Sequence, residues 1–148
     1  MKILLIDIPL KDVDNGFNIV HKEILFPSLG LYYLKEYAKL KNPNIDIKVL
    51  NLSNKSFEEA LDIVILEKPD IVGASCFTDR RAIVFEFLKA LKKINSKIIN
   101  IIGGPHSSIL PRQIMSNYDF IDFIVIGEEK QTFSELIDCL ITNKNFEK

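Results

Sequence analysis

The residues equipped for chemistry fall in four short stretches: Asp7-Ile8-Pro9, Ser75-Cys76-Phe77-Thr78, Gly103-Gly104-Pro105-His106 and Gly127-Glu128-Glu129. The hydroxyls of Ser75 and Thr78 can both donate to and accept from the amides of a ligand. Thr78 reads equally well as the cap of a following helix. Gly103 and Gly104 have no Cβ, so another group can approach their backbone closely; a tight turn out of a strand accounts for them as well. His106 has the chemistry of a metal ligand or a base, but a lone histidine in such a loop more often only bonds the backbone. His21 has no partner motif at all. Glu128-Glu129 suits the acidic first turn of a helix. Cys76 reads as a small packing residue rather than a nucleophile, because no base stands near it in sequence.

Composition limits what these stretches can belong to. The chain has 148 residues, 47% hydrophobic and 26% charged, ordinary values for one globular domain. At this size a chain buries about 68–70% of its unfolded surface and needs no disulfide or metal staple. Nineteen basic residues face 20 acidic ones, which leaves no basic footprint for nucleic acid. No apolar run reaches the roughly 18 residues of a membrane span, and the N-terminus lacks a signal-peptide pattern, so the expectation is a cytoplasmic protein. Cys76 and Cys139 form no metal-binding or redox spacing.

The elements that must position these stretches alternate from end to end. Apolar runs at 2–7, 45–50, 70–74, 97–102 and 121–126 read as buried strands. Between them lie helical patterns. The first runs from Ser28, as cap, to Lys41, with Leu31, Leu34 and Ala38 on one stripe. The second opens on the capping box Ser56-Phe57-Glu58-Glu59 and ends by Pro69. The third starts at Thr78 or Asp79 and carries Ile83, Phe87, Ala90, Leu91 and Ile94 inward. A short helix starts at Pro111. The last opens on a second capping box, Thr132 to Glu135, with Phe133, Leu136, Ile137, Leu140 and Ile141 inward. The stretch 8–27, roughly 20 residues, is long for a connection after a strand, where about 2–6 is usual. A polar tail, 142–148, closes the chain.

Five βα units predict an α/β fold: a doubly wound, flavodoxin-like or Rossmann-like parallel sheet in order 2-1-3-4-5 with helices on both faces. Ligands of such sheets bind at the carboxyl ends of the strands, where the order reverses, and the four stretches sit at those ends. Several chemistries of this fold class are excluded. There is no Gly-x-Gly-x-x-Gly, no phosphate-binding Gly-x-x-x-x-Gly-Lys-Ser/Thr and no Gly-x-Ser-x-Gly elbow. The acid and lysine of a phosphoacceptor receiver are missing at the ends of strands three and five, and 8–15 holds no hydroxyl for a flavodoxin phosphate loop.

Four longer stretches carry a resemblance. They are Pro27-Ser28-Leu29-Gly30-Leu31-Tyr32-Tyr33-Leu34; Pro69 through Thr78; Gly103-Gly104-Pro105-His106 with Leu110-Pro111; and Asp122 through Glu129 with Thr132-Phe133. In this order and at these strand ends, the chain resembles the cobalamin-binding domain found N-terminal in radical S-adenosylmethionine enzymes. The resemblance implies that residues 1–148 form such a domain, the front part of a longer protein. It implies a cofactor-binding set of Ser75, Cys76, Phe77, Thr78, Gly103, Gly104, His106, Gly127 and Glu128, no catalytic residue and no protein metal ligand. Ser75 and Thr78 would bond the nucleotide tail or its phosphate, Gly103 and Gly104 would let it pass close to the backbone, and Gly127 and Glu128 would border the groove. The long loop 8–27 would cover the corrin ring or face a partner domain.

Two departures shape the expectation. The Asp-x-His-x-x-Gly motif that supplies cobalt with a lower histidine in other cobalamin proteins is absent; the region reads Asp12-Val13-Asp14-Asn15-Gly16. The expectation is cobalamin bound with neither its own base nor a histidine on cobalt. The Cys-x-x-x-Cys-x-x-Cys that holds an iron–sulfur cluster is also absent. The cluster and S-adenosylmethionine would then belong to a further catalytic domain, in cis or in trans. The function expected is to hold cobalamin for methyl transfer or cyclisation by such an enzyme. The alternative is the same fold without cofactor, a docking module whose groove is filled by its own Phe77, Phe17 or Tyr118. A flavin- or nucleotide-binding enzyme is a weaker third reading, given the missing phosphate loops.

Overall fold

The structure, a computed structural model, describes residues 1–8, 28–127 and 129–142. Most of the long loop, including Phe17 and His21, Glu128, and the tail beyond Thr142 lie outside the described residues. The elements in chain order are β1 (Lys2–Asp7), α1 (Leu29–Lys41), β2 (Asp46–Asn51), α2 (Phe57–Leu66), β3 (Ile71–Ser75), α3 (Arg81–Ile94), β4 (Ile99–Gly103), α4 (Pro105–Ile109), α5 (Pro111–Asn117), β5 (Phe123–Ile124) and α6 (Glu129–Ile141). The strands form one all-parallel sheet in the order β2-β1-β3-β4-β5, the order expected.

The strands are apolar on both faces because both faces are covered. Successive side chains alternate, so Leu4, Ile6, Val72, Ala74 and Ile102 join the core under α2, α3 and α5. Ile3, Leu5, Ile71 and Ile101 join the opposite core, under α1 and α6. Leu31, Leu34 and Ala38 of α1 and Phe133 and Ile137 of α6 are buried there, as the helical periodicity predicts. Ile94 and Ile141, expected inward, are exposed: each ends its helix, past the last turn that faces the sheet. Among the described residues, no helix is long and apolar enough to cross a membrane.

The first capping box forms as read: Ser56 Oγ accepts from Glu59 N–H, and the Glu59 carboxylate accepts from Ser56 N–H. Three other helix starts differ from expectation. Ser28 makes no side-chain cap; its carbonyl instead accepts from Leu31 N–H at 2.9 Å. Helix α3 begins at Arg81, because Thr78 directs its hydroxyl across to the next loop and Phe77–Arg80 closes a turn. Helix α6 begins at Glu129, so Thr132 lies inside the helix and the second capping box does not form. Helix α2 ends at Leu66, and Lys68 turns the chain with a left-handed φ of 50° before Pro69.

Strand β5 is shorter than its apolar run because a side chain takes over part of the pairing. The Asp122 carboxylate accepts from Asn100 N–H at 2.7 Å and from Lys92 Nζ. Asn100, fully buried, in turn donates its amide to the carbonyls of Leu88 and Phe120 at 3.0 and 2.9 Å. One strand residue thus ties α3 and the approach to β5 onto β4. Asn100→Ala leaves both carbonyls without that donor and is expected to cost about 2–3 kcal/mol in chemical denaturation; a loss below about 1 kcal/mol would show that the amide contributes little.

Cys76 packs in the α3-side core with no exposed surface. Burial pushes its thiol up to about 11. The thiolate is the nucleophile, so Cys76 is expected to resist alkylation in the folded chain below about pH 9 and to react once the chain is unfolded in denaturant. Rapid labelling of Cys76 in the native state, read by peptide mass mapping, would contradict this packing.

Candidate functional site

The order of the sheet places the reversal between β1 and β3, and the loops that leave β1, β3 and β4 meet at its carboxyl edge. Two of these loops are joined through the backbone. Cys76 N–H donates to Gly103 C=O at 2.7 Å, and His106 N–H donates to Cys76 C=O at 3.1 Å. Gly104 sits between them at φ 100°. A Cβ there would stand 3.0–3.1 Å from the Cys76 backbone and Ser75 Oγ, so only glycine fits without displacing the pair.

Side chains add to the junction. Thr78 Oγ1 and His106 Nδ1 share a hydrogen bond at 3.2 Å. The His106 ring is buried, 9% exposed, with Phe85 tilted against it. It is held inward rather than presented to the edge. Ser107 Oγ donates to Gly104 C=O, and Ser108 Oγ accepts from Gly127 N–H at 3.3 Å, which brings the β5 end to the same rim. Arg80 lies 3.6 Å from Asp7 at the end of β1. Desolvation holds the Asp7 carboxyl above its ordinary range, against the opposing pull of Arg80. No group of three or more potential metal ligands is assembled among the described residues.

Of the residues singled out in the sequence, Ser75, Cys76, Thr78, Gly103, Gly104 and His106 are brought together at this junction, and Gly127 joins through Ser108. Cys76 contributes backbone there, its thiol facing the core. Phe77 stands at the edge, 45% exposed. Glu128 lies outside the described residues.

Below the rim, on the α1 and α6 side of the sheet, lies a narrow groove with a cavity volume of about 20 Å³, room for about one water. Its floor is formed by Leu5 of β1, Gly73, Ala74 and Ser75 of β3, and Ile101 and Gly103 of β4. Leu31 and Leu34 of α1, Val125 just after β5, and Phe133 of α6 wall it. Neither Phe77 nor Tyr118 fills this groove; Tyr118 packs on Phe85 and Phe120 on the other face of the sheet. Gly73 is a lining residue that the expected cofactor-binding set left out. The signal was a glycine inside a buried strand, which marks a place where something approaches the sheet closely.

Comparison with known proteins follows this geometry. The family model of the B12 binding domain matches residues 19–137. An uncharacterized methyltransferase of Pyrococcus horikoshii is 33% identical over 116 residues, covering 77% of this chain and 25% of that protein. An anaerobic magnesium-protoporphyrin IX monomethyl ester cyclase of Rubrivivax gelatinosus is 28% identical over 116 residues, covering 78% of this chain and 21% of the cyclase. The same-named cyclase of Cereibacter sphaeroides is 29% identical over 70 residues, 47% of this chain and 11% of its own length. The chain thus spans a quarter or less of the relatives it matches. A match over most of the chain, on a sheet of the expected order, makes it a member of the B12-binding domain family.

Proposed function

We propose that this chain binds cobalamin and holds it for a radical S-adenosylmethionine catalytic domain, in cis or in trans. The observation that carries the reading is the meeting of the Ser75–Thr78 and Gly103–His106 stretches at the carboxyl edge where the strand order reverses, in a chain of the B12-binding domain family. Neither Phe77 nor Tyr118, the two described candidates for filling a cofactor-free site, lines the crevice below this edge. The residues present suit the cofactor. A large, mostly flat ligand needs area and a few placed polar groups, and the groove supplies an apolar floor with the Ser75 hydroxyl near its mouth. Thr78, Gly103, Gly104, His106, Gly127 and Glu128 would frame the carboxyl edge above it.

Bound cobalamin supplies the cobalt chemistry of methyl transfer or cyclisation, while this chain binds and orients it. The relatives support that setting, one named an uncharacterized methyltransferase and two named cyclases. The exposed apolar side chains Phe77, Ile109 and Ile126 at the carboxyl edge suit a surface covered by the cofactor or a partner domain. The inward-held His106 ring supports binding without a protein histidine on cobalt. Iron–sulfur cluster and S-adenosylmethionine would bind the catalytic domain, and the working compartment would be the cytoplasm.

Pure protein mixed with hydroxocobalamin and desalted is expected to stay coloured, with cobalt near one per chain. Ser75→Ala and Thr78→Val are each expected to weaken retention roughly threefold to tenfold, the effect of one lost hydrogen bond. A colourless protein after desalting would contradict the reading.

A further inference from the structure

Arg80 occupies a place that the helix behind it does not explain. It stands at the N-cap of α3 and forms no side-chain cap there. Helix stability favours cations at the opposite end of a helix. Its guanidinium reaches over the strand ends to Asp7, with Nη1 3.6 Å from Oδ1. That is an ion pair, but it is longer than a hydrogen bond. The other acid beside it, Asp79, lies 4.0 Å from Nε and is largely exposed. Arg81, by contrast, is committed: its Nη1 donates to Thr78 C=O at 2.8 Å. Among the described residues, the Arg80 guanidinium has charge partners but no acceptor at ordinary hydrogen-bond distance.

The place of Asp7 gives this loose pair its meaning. Ile3 and Leu5 of β1 face α1 and α6, and by alternation Asp7 belongs to the same side. Strands β1 and β3 pair as far as Ile6 and Ala74. Asp7 therefore stands one step further on, beside Ser75, which pairs with Gly103. Asp7 and Ser75 form a polar row on the two strands between which the order reverses, the point where such sheets take their ligands. The Asp7 side chain is mostly buried, and desolvation of its carboxyl outweighs the pull of Arg80. Arg80 and Asp7 thus meet at the ligand edge without satisfying each other.

We propose that Arg80 is a positioning residue for the cofactor, exchanging the Asp7 carboxylate for the phosphodiester of the nucleotide tail when cobalamin binds. This deepens the reading of the carboxyl edge as a cobalamin site and rests on it. The phosphodiester is the anion of that tail, and the side chains around the corrin ring are neutral amides. A guanidinium offers a phosphate two parallel N–H donors, a fit that the 3.6 Å contact with Asp7 does not provide. Asp7 is the competitor in this exchange: its charge holds Arg80 over the strand ends and opposes an incoming anion.

The test compares equilibrium binding of hydroxocobalamin and of cobinamide, which lacks the nucleotide and its phosphate, to the wild-type chain and three variants. Arg80→Gln is expected to weaken cobalamin roughly tenfold and to leave cobinamide unchanged. Arg80→Lys, a point charge without the fork, is expected to recover only part of the loss. Asp7→Asn keeps the shape and removes the competing charge, so it is expected to tighten cobalamin roughly threefold without affecting cobinamide. Circular dichroism confirms that each variant folds. The phosphorus resonance of protein-bound cobalamin gives a second readout, which does not depend on cobinamide binding: Arg80→Gln is expected to shift it. Arg80→Gln weakening both corrinoids equally or neither, Asp7→Asn weakening cobalamin, or an unmoved phosphorus resonance overturns the exchange and leaves the cobalamin site standing. Failure of hydroxocobalamin to bind the wild-type chain overturns the site itself.

Discussion

The geometry of the ligand edge depends on a close contact between two backbones. At Gly104 the chain passes so near Cys76 that a single methyl group would have no place. The contact is held by Cys76 N–H on Gly103 C=O and His106 N–H on Cys76 C=O. These bonds continue the β3–β4 pairing one step beyond the strands, so the two loops leave the sheet as a joined unit rather than as separate flexible connections. Ser75 then sits at a defined place beside the groove, and Thr78 is fixed through the His106 ring. The rest of the fold supplies a rigid base for this joint: both faces of the sheet are buried, and α1 and α6 close over one of them.

The parity of the strands decides which face carries the groove. In β3 and the residue after it, 71, 73 and 75 point toward α1 and α6, while 72, 74 and 76 have their side chains in the other core. The same alternation therefore buries the Cys76 thiol and turns the Ser75 row toward open space. On the groove side, glycine at 73 and 103 lowers the floor. On the other side Asn100 spends its amide on α3 and the approach to β5, a purely architectural use of a polar residue.

Much of this was legible in the residues. The alternation of elements and the handedness of crossovers narrowed the strand order to a few, of which the one chosen, 2-1-3-4-5, is the one found, and the four motif stretches sit at the strand ends as read. What escaped was non-local. Thr78 looked like a helix cap because its partner, His106, is 28 residues away. The apolar run at 121–126 looked like a full strand because nothing local shows that Asp122 reaches Asn100 and Lys92. Thr132 to Glu135 has the spacing of a capping box, yet α6 already starts at Glu129, next to Gly127 with its φ of 78°. The groove needed residues from five elements at once, so no single motif announced it; only Gly73, a glycine where a buried strand has no use for one, pointed there.

The central claim is that the α1 and α6 side of the sheet receives the cofactor. Amide chemical-shift mapping of the labelled chain, with hydroxocobalamin added in steps, tests it most directly. The account predicts the largest shifts at Leu31, Leu34, Gly73, Ser75, Gly103 and Phe133, with the amides of α2 and α5 little changed. Shifts centred on α2 and α5, or none at saturating cofactor, would contradict it.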